Sequence, residues 1–205
     1  MNGNMNKHLI EKGFQQVLEG IGFENLDAET REEVISNTPS RMAKAWIEWL
    51  DGMNHTESFV DELLSKSFPE TSIGILSYKD IEFHSFCEHH LAPMRGKINV
   101  AILPALDEEG RGIATHGLSK VPRVIKVYSQ RLSLQERLAR QIADALFNYI
   151  DPKPEGVYVV LHHVNHDCMT SRGAKAHADG TCQAEARGVF LDPSRRNEAY
   201  QMWSL

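Results

Sequence analysis

The chain has 205 residues, of which 41% are hydrophobic and 24% are charged, a composition suited to one compact domain with a helical extension. Its formal net charge of −6 argues against a general affinity for nucleic acid, although a local basic pocket remains compatible with that charge. No run of about 20 apolar residues indicates a membrane span, and the beginning of the chain lacks the apolar segment of a secretory signal. The three cysteines are an odd number and two lie close to histidines, so we expect free thiols in a reducing cytoplasm.

Two helices are predicted in the first third of the chain. Apolar residues recur at helical spacing through residues 7–23, which indicates an amphipathic helix. A second helix is predicted to begin at Pro39, with Thr38 as its N-cap, and to end near Gly52. The apolar face of this helix contains four residues: Met42, Trp46, Trp49 and Leu50.

Two basic residues of the second helix, Arg41 and Lys44, lie away from Trp46 and Trp49. Their spacing by itself favours an ordinary solvated helix face. They become functional candidates only through the family resemblance described below.

From residue 74 the sequence pattern changes to that of strands. Residues 75–86 alternate imperfectly, with Ile81, Phe83 and Ser85 on one side, as in a strand with one buried face. Residues 97–104 are predicted to form a second strand, antiparallel to the first.

The downstream segments complete the pattern of predicted elements. They are a charged loop at 105–117, helices at 119–130 and 133–150, strands at 156–168 and 186–192, and a last helix from Asp192 and Pro193. This order predicts an α+β fold in which an antiparallel sheet is backed by helices. We expect an N-terminal helical region at residues 1–70 and a second domain at residues 71–205.

A metal site is predicted where the first strand ends. Cys87 and His90 have the C-x-x-H spacing that is typical of half a zinc site. In the strand at 156–168, alternation predicts that His162, Val164, His166 and Cys168 share one face. Cys168 would then be a third ligand, and the sequence leaves Cys182 open as a rival. Three protein ligands are typical of a catalytic zinc, which lowers the pKa of bound water to about 7.

Other residues indicate an anionic or nucleotide ligand, each with a simpler structural interpretation. Ser119, Lys120 and Arg123 open a predicted helix, where backbone N–H groups favour phosphate, although Ser119 is equally suited to an N-cap. Gln135 and Glu136 have side chains able to hydrogen-bond the edge of a base. The local pattern favours another interpretation, a capping box between Ser133 and Glu136.

Three segments together resemble GTP cyclohydrolase I: CEHHLAPMRGKINVAILP, GLSKVPRVIKVYSQRLSLQERLARQIADAL and NHDCMTSRG. The resemblance runs from about residue 38 to residue 173. It implies a tunnelling fold that assembles into a toroidal homo-oligomer, typically a decamer. It also implies conversion of GTP to 7,8-dihydroneopterin triphosphate with release of formate.

The resemblance implies a role for each matching residue. It implies Zn²⁺ held by Cys87, His90 and Cys168, and catalysis by His166, which would protonate the purine imidazole ring, and by His89 near the ribose. It implies that guanine is read by Gln135 and Glu136, which reverses the local preference for a capping box. The remaining implied positions lie along the ribose and triphosphate, the last two contributed by a neighbouring subunit: Ser119, Lys120, Arg123, Arg172, Arg41 and Lys44.

The chain departs from the family pattern in two places, and two other functions remain open. Residues 105–115 are longer than we expect between the second strand and GLSK, and the segment after Arg172 lacks the usual Ser/Thr-rich run. One alternative is another enzyme of the same fold, such as a deazapurine nitrile reductase, which needs a nucleophilic cysteine and a nicotinamide cofactor. The other is a zinc-stabilised interaction module, which would use four protein ligands.

Overall fold

A computed structural model describes residues 5–71, 74–175 and 180–205, and this part of the chain contains seven α-helices and seven β-strands. The helices are α1 (Lys7–Ile21), α2 (Ala28–Trp49), α3 (Glu57–Leu64), α4 (Lys120–Ser129), α5 (Gln135–Tyr149), α6 (Asp167–Thr170) and α7 (Pro193–Trp203). The strands are β1 (Ser67–Pro69), β2 (Leu76–Cys87), β3 (Pro93–Leu103), β4 (Ala114–His116), β5 (Leu132–Ser133), β6 (Gly156–His166) and β7 (Thr181–Gly188). Every helix in these residues is too short or too polar to cross a bilayer.

The main sheet has the strand order β5-β2-β3-β6-β7. The pairs β2–β3, β3–β6 and β6–β7 are antiparallel, whereas the short strand β5 runs parallel to β2. This confirms the predicted α+β class and the antiparallel pairing of the first two strands. Met94 of β3 lies opposite Ser85 of β2 and His166 of β6, so β2 and β6 end at the same edge of the sheet.

The two faces of the sheet are covered by different helices. One face packs against α3, α4 and α5, and its core includes Ile98, Val159 and Leu161 from the sheet and Leu138 and Ile142 from α5. The opposite face packs against α7, in a second core cluster: Ala101, Leu103, Tyr158, Val160, Phe190, Ala199 and Trp203. The periodicity of β3 and β6 follows from this arrangement, because successive residues enter the two cores in turn.

The predicted start of the second helix at Pro39 is wrong. Helix α2 begins at Ala28, after an N-cap at Asp27 whose carboxylate accepts the backbone N–H of Thr30 at 2.9 Å. Pro39 lies inside the helix and is buried. A proline fits the first turn of a helix best, but inside a long helix the lost hydrogen bond is offset by the remaining bonds and by burial of the ring. Thr38 is therefore not an N-cap.

Gly52 does not end this helix, contrary to the prediction. The helix ends at Trp49, and Gly52 lies in a short 3-10 turn at Asp51–Asn54. A Cβ atom at Gly52 would lie 2.0 Å from the carbonyl oxygen of Val127 in α4. The glycine is thus needed for the close approach of two backbones.

The apolar face predicted for α2 is only partly covered within the chain. Trp46 and Trp49 pack against Phe86 of β2, with ring centroids 5.3 and 5.4 Å apart, and Leu50 is buried. Trp49 nevertheless stays 43% exposed. This contact places α2 beside the end of β2, one residue before Cys87.

Several elements differ from the sequence prediction. The predicted loop at 105–117 contains β4, which pairs antiparallel with β1, and neither strand was predicted. The last strand is β7 at Thr181–Gly188, followed by a 3-10 turn at Val189–Leu191, so the strand predicted at 186–192 is wrong. Gly188 ends the strand because its φ of 61° turns the chain into that 3-10 segment.

The division predicted at residue 70 stays a prediction. Val60 and Leu64 of α3 lie in the core that α5 and the main sheet share, and β1 pairs with β4. These contacts join residues from the two sides of the predicted division.

We expect Gly52→Ala to lower the free energy of unfolding by about 1–3 kcal/mol, because its Cβ would clash with the Val127 carbonyl and separate α2 from α4. Gly13→Ala in α1 is the matched control, since a Cβ there meets no atom within 4 Å. We expect that control to raise helix stability by about 0.5–1 kcal/mol. Denaturant unfolding at one fixed protein concentration measures both, and equal effects of the two substitutions would contradict the prediction.

Candidate active site

A tight turn at the end of β2 brings two of the predicted ligands together. The backbone N–H of Cys87 donates to Ala92 O, and that of Leu91 donates to Cys87 O, both at 2.9 Å. Leu91 has a φ of 52°, the left-handed conformation that reverses the chain. As a result Cys87 Sγ lies 3.6 Å from His90 Nδ1.

The third predicted ligand, Cys168, reaches this turn from a helix. Strand β6 ends at His166, and Cys168 lies in the single turn α6. The donor atoms of Cys87, His90 and Cys168 all lie within 4.8 Å of one another, the arrangement predicted for a metal site. Cys182 is exposed on β7 and does not belong to this group.

The prediction that His162, Val164, His166 and Cys168 share one strand face is wrong. A bulge between Leu161 and Val164 interrupts β6, and His163 has a φ of 49°. His162 therefore lies on the opposite face from Val164 and His166, with its Nε2 atom 3.2 Å from Asn99 Oδ1. The four residues from His162 to Cys168 do not share one face, because alternation fails at a bulge and ends where the strand ends.

The separation of two of the donors, Cys87 Sγ and His90 Nδ1, fits zinc. Tetrahedral coordination with Zn–S near 2.3 Å and Zn–N near 2.05 Å places sulfur and nitrogen about 3.6 Å apart. The Cys87–His90 separation of 3.6 Å has that value. Burial and the neighbouring Cys87 thiol raise the pKa of Cys168, and a bound cation would oppose both effects because it favours the thiolate.

Two residues before Cys168, the side chain of His166 is held by a polar pair, Gln135 and Thr181. Its Nε2 atom lies 2.8 Å from Gln135 Oε1, so the imidazole donates to the amide oxygen. The same oxygen accepts the hydroxyl of Thr181 at 2.5 Å. Burial lowers the pKa of His166, while the carboxylate of Glu136 acts in the opposite direction.

The capping box predicted locally at Ser133 and Glu136 is wrong. The N-cap residue of α5 is Leu134, and no side chain caps this helix. Ser133 belongs to β5 and its hydroxyl donates to Leu134 O at 3.1 Å. At the first turn of α5, Gln135 is buried and Glu136 is exposed. Neither side chain makes a helix-cap hydrogen bond.

The residues predicted for the anionic ligand form a second group at the start of α4. Ser119 occupies the N-cap position without a side-chain cap hydrogen bond. Lys120 Nζ donates to the carbonyl of Lys66 at 2.6 Å, and Arg123 is exposed one turn further on. Burial, followed by the charges of Lys66 and Arg123, lowers the pKa of Lys120.

The remaining predicted residues lie farther from the three donors or nearer the surface. Arg172 is exposed just after α6, and its charge favours the thiolate of Cys168. His89 is 62% exposed, with Nε2 3.9 Å from Glu88 Oε1. Arg41 forms an ion pair with Glu33 of its own helix at 2.7 Å, and Lys44 is exposed on α2. The hydrogen bonds and ion pairs of the described residues do not join these α2 residues to the Cys87 group.

Three residues at this site were missed by sequence reasoning. Glu88 and Arg137 form a two-point ion pair between the turn after β2 and the first turn of α5. Glu88 lies in the CEHH motif and Arg137 in the QERL motif. Their pairing depends on the register of β2 and β5, which the sequence does not show. Thr181 carried no sequence signal, because nothing local places it against Gln135.

The fold and this site define a class of protein: an α+β protein with a Cys-His-Cys metal group beside a half-buried histidine. Comparison with known proteins identifies the family, since a profile of GTP cyclohydrolase I matches residues 10–204. GTP cyclohydrolase 1 of Clostridium perfringens (strain 13 / Type A) is 37% identical over 202 residues, covering 98% of this chain and 100% of the relative. The protein of the same name from Streptococcus agalactiae serotype Ia is 39% identical over 200 residues, covering 98% and 97%.

A further relative of the same name, from Streptococcus pneumoniae (strain Taiwan19F-14), is 36% identical over 202 residues, covering 98% of this chain and 100% of the relative. The chain belongs to the GTP cyclohydrolase I family. This confirms the resemblance drawn from the three motifs, and the α+β fold agrees with the tunnelling fold that the resemblance implies.

We expect Thr181→Val to lower the free energy of unfolding by about 1–2 kcal/mol, because it removes a hydroxyl bonded to the buried Gln135 amide and to Val164 O. Valine keeps the shape and suits a strand. Thr181→Ser is the matched control, since it retains the hydroxyl, and its loss is expected to be smaller. Denaturant unfolding measures both, and a larger loss in the serine variant would contradict the hydrogen-bond explanation.

Proposed function

We propose that this protein converts GTP to 7,8-dihydroneopterin triphosphate with release of formate. Membership of the GTP cyclohydrolase I family supports the reaction. The observation that carries the proposal is the position of His166, two residues before Cys168 of the three-donor group and bonded to Gln135 at the start of α5. The residues that we propose for metal binding, proton transfer and guanine recognition would thus act together where β2 and β6 end.

Zinc is the metal that we propose for Cys87, His90 and Cys168. Two sulfurs and one imidazole nitrogen suit this ion, and three protein ligands are typical of a catalytic site. When bound, zinc supplies Lewis-acid activation of water for attack at C8 of the purine. The two cysteines of the group would bind as thiolates.

In its charged form, His166 is proposed to deliver the proton on its other ring nitrogen, Nδ1, to N7 of the guanine as the imidazole ring of the purine opens. Burial lowers its pKa, so the free imidazole is neutral near pH 7. Glu136 opposes that shift, and the negative charge of a bound triphosphate would do so as well. Gln135 and Thr181 keep the ring in one orientation through the bond at Nε2.

Gln135 and Glu136 are proposed to read the guanine edge. The carboxylate of Glu136 accepts the N–H groups that distinguish guanine from adenine at that edge. The amide oxygen of Gln135 already accepts from His166 and Thr181, so its NH₂ group would face the base. His89, exposed on the turn after Cys87, is proposed to act near the ribose.

The triphosphate is proposed to lie along Ser119, Lys120, Arg123 and Arg172. Lys120 would exchange its bond to the Lys66 carbonyl for a phosphate oxygen, since a charged acceptor binds an ammonium group more strongly than a neutral carbonyl. Binding energy from this remote end of the substrate would hold C8 in place for the reaction.

The two alternative functions have less support. A nitrile reductase needs a free nucleophilic cysteine, but Cys87 and Cys168 share the metal group and Cys182 is exposed on β7. A closed structural zinc site needs four protein ligands. Among the described residues, the group contains three.

We propose that the active protein is a homo-oligomer, most simply a decamer, in which Arg41 and Lys44 reach the phosphates of a neighbouring subunit. Both side chains are exposed on α2, and the Arg41–Glu33 pair is 65% and 48% exposed, so it is easily exchanged for a stronger anion. A cytoplasmic location, an N-terminal helical region at 1–70 and a catalytic domain at 71–205 remain predictions.

Purified protein incubated with GTP is expected to release formate and a triphosphate that becomes a fluorescent pterin on oxidation. Cys168→Ser is expected to lose both zinc and turnover, because it removes a ligand. Cys182→Ser is the matched control and is expected to retain both. Formate release, pterin fluorescence and metal content per chain are the measurements, and full zinc content in Cys168→Ser would reject the ligand assignment.

Mixing two inactive variants tests whether the site is shared between chains. His166→Ala is expected to keep zinc and lose turnover by about 10²–10⁴-fold, the usual contribution of a general acid. Lys44→Ala is expected to be nearly inactive because it lacks a phosphate contact. Reassembled together, the two proteins should regain measurable activity, because some sites combine an intact Lys44 with an intact His166 of another chain. No recovery in oligomers shown by mass to be mixed would place Lys44 and His166 in one chain's site, or Lys44 outside the site.

A further inference from the structure

The turn that carries the metal donors and the helix that carries the base-reading residues are adjacent because of one parallel strand pair. Cys87, the last residue of β2, lies opposite Ser133 of β5. The next backbone N–H, that of Glu88, donates to Ser133 O at 3.3 Å. Two residues after Ser133, helix α5 begins with Gln135. This strand contact fixes where the two segments start but leaves the direction of each one free.

A second contact, made by side chains, fixes that direction. Arg137 Nη2 donates to Glu88 Oε1 at 3.0 Å, and Arg137 Nη1 donates to the other carboxylate oxygen. A two-point bond between a guanidinium and a carboxylate sets both distance and orientation, because both groups are planar.

The two partners stand directly beside the residues of the proposed reaction. Glu88 lies between Cys87 and His89 in the chain, and its Oε1 atom is 3.9 Å from His89 Nε2. Arg137 directly follows Glu136 in the first turn of α5. A change in the geometry of this ion pair therefore moves the metal donors and the guanine-reading side chains relative to each other.

We propose that Glu88 and Arg137 are positioning residues that hold the base-reading end of α5 in register with the metal-binding turn. The inference rests on the proposed function, since it assigns the pair the task of placing C8 of the guanine over the metal. Neither residue needs to touch the substrate. Their effect is on the distance between two groups that do.

This role predicts a particular kinetic pattern. The hydrogen bonds and ion pairs of the described residues do not join Glu88 or Arg137 to the residues proposed for the triphosphate, so substrate affinity should depend little on this pair. A displacement of about 1 Å between reacting groups lowers the rate by up to about 10²-fold. We therefore expect Arg137→Ala and Glu88→Ala to lower kcat by roughly 10–100-fold, with KM for GTP within about threefold of the wild type.

Stability and metal content separate this role from a purely structural one. The side chains of Arg137 and Glu88 are 39% and 25% exposed, and such partly exposed ion pairs contribute little to folding. Both alanine variants should therefore keep the wild-type melting temperature within a few degrees and a full complement of zinc per chain. Arg140→Ala is the matched control, because Arg140 is an exposed arginine on the same helix, three residues after Arg137.

The experiment compares Glu88→Ala, Arg137→Ala, the double variant, Arg137→Lys and Arg140→Ala in the full-length oligomer. Each is measured for zinc content, melting temperature, kcat and KM with GTP. Because each partner acts through the other, the double variant should lose no more activity than the worse single variant. Arg137→Lys, which keeps the charge but forms one bond, should give an intermediate kcat, and Arg140→Ala should match the wild type.

Three results would overturn the inference. The first is a loss of zinc in proportion to the loss of kcat. The second is a double variant whose loss of kcat equals the product of the two single losses. The third is a kcat within about twofold of the wild type in both single variants. A wild-type protein with full zinc and no turnover of GTP would instead reject the proposed function itself, so the two failures are distinguishable.

Discussion

The register of the central strand β3 determines which side chains meet at this site. Met94 pairs with Ser85 on one side and with His166 on the other, and this pairing aligns the ends of β2 and β6. A slip of one residue in either pair would reverse the faces of a whole strand and separate the core residues from their helices. The buried faces of β3 and β6 therefore hold the metal donors and His166 together, although those residues contribute little to either core.

Two bulges modify this alignment, and one of them gives His166 its orientation. Val157, Val159 and Leu161 face α5, and strict alternation would turn His166 toward α7. The bulge between Leu161 and Val164 restores Val164 and His166 to the α5 side, where Gln135 is. Gly96 of β3 allows this, because a Cβ there would lie 3.0 Å from the Cα of Val164. After the bulge, the residues of β6 that face α5 are therefore the even-numbered ones, Val164 and His166, and no longer the odd-numbered ones.

The bulges and the strand register explain which elements and contacts could be predicted from the sequence and which could not. Helical spacing was enough to predict α1, α4 and α5. The C-x-x-H spacing was enough to bring Cys87 and His90 together, but the choice of Cys168 over Cys182 came from the family resemblance. The start of α2 was missed because Pro39, which suits a first turn best, lies in the interior of this long helix. The capping box was the favoured local interpretation of SLQE, but Ser133 is used in the strand pair with Cys87. Contacts set by register, such as Glu88–Arg137 and Thr181–Gln135, have no local pattern.

The bulges themselves are joined by polar side chains on the face away from α5. Asp80, at the bulge of β2, has a φ of 57°, and its backbone N–H donates to Asn99 Oδ1 at 2.7 Å. His162, at the bulge of β6, has its Nε2 atom 3.2 Å from that same oxygen and 3.3 Å from Asp80 Oδ1. Asn99 is buried on β3 between them, so one amide oxygen links both irregular strands. A polar cluster on the opposite face of the sheet therefore links the two bulges, including the bulge that turns His166 toward Gln135 on the α5 side.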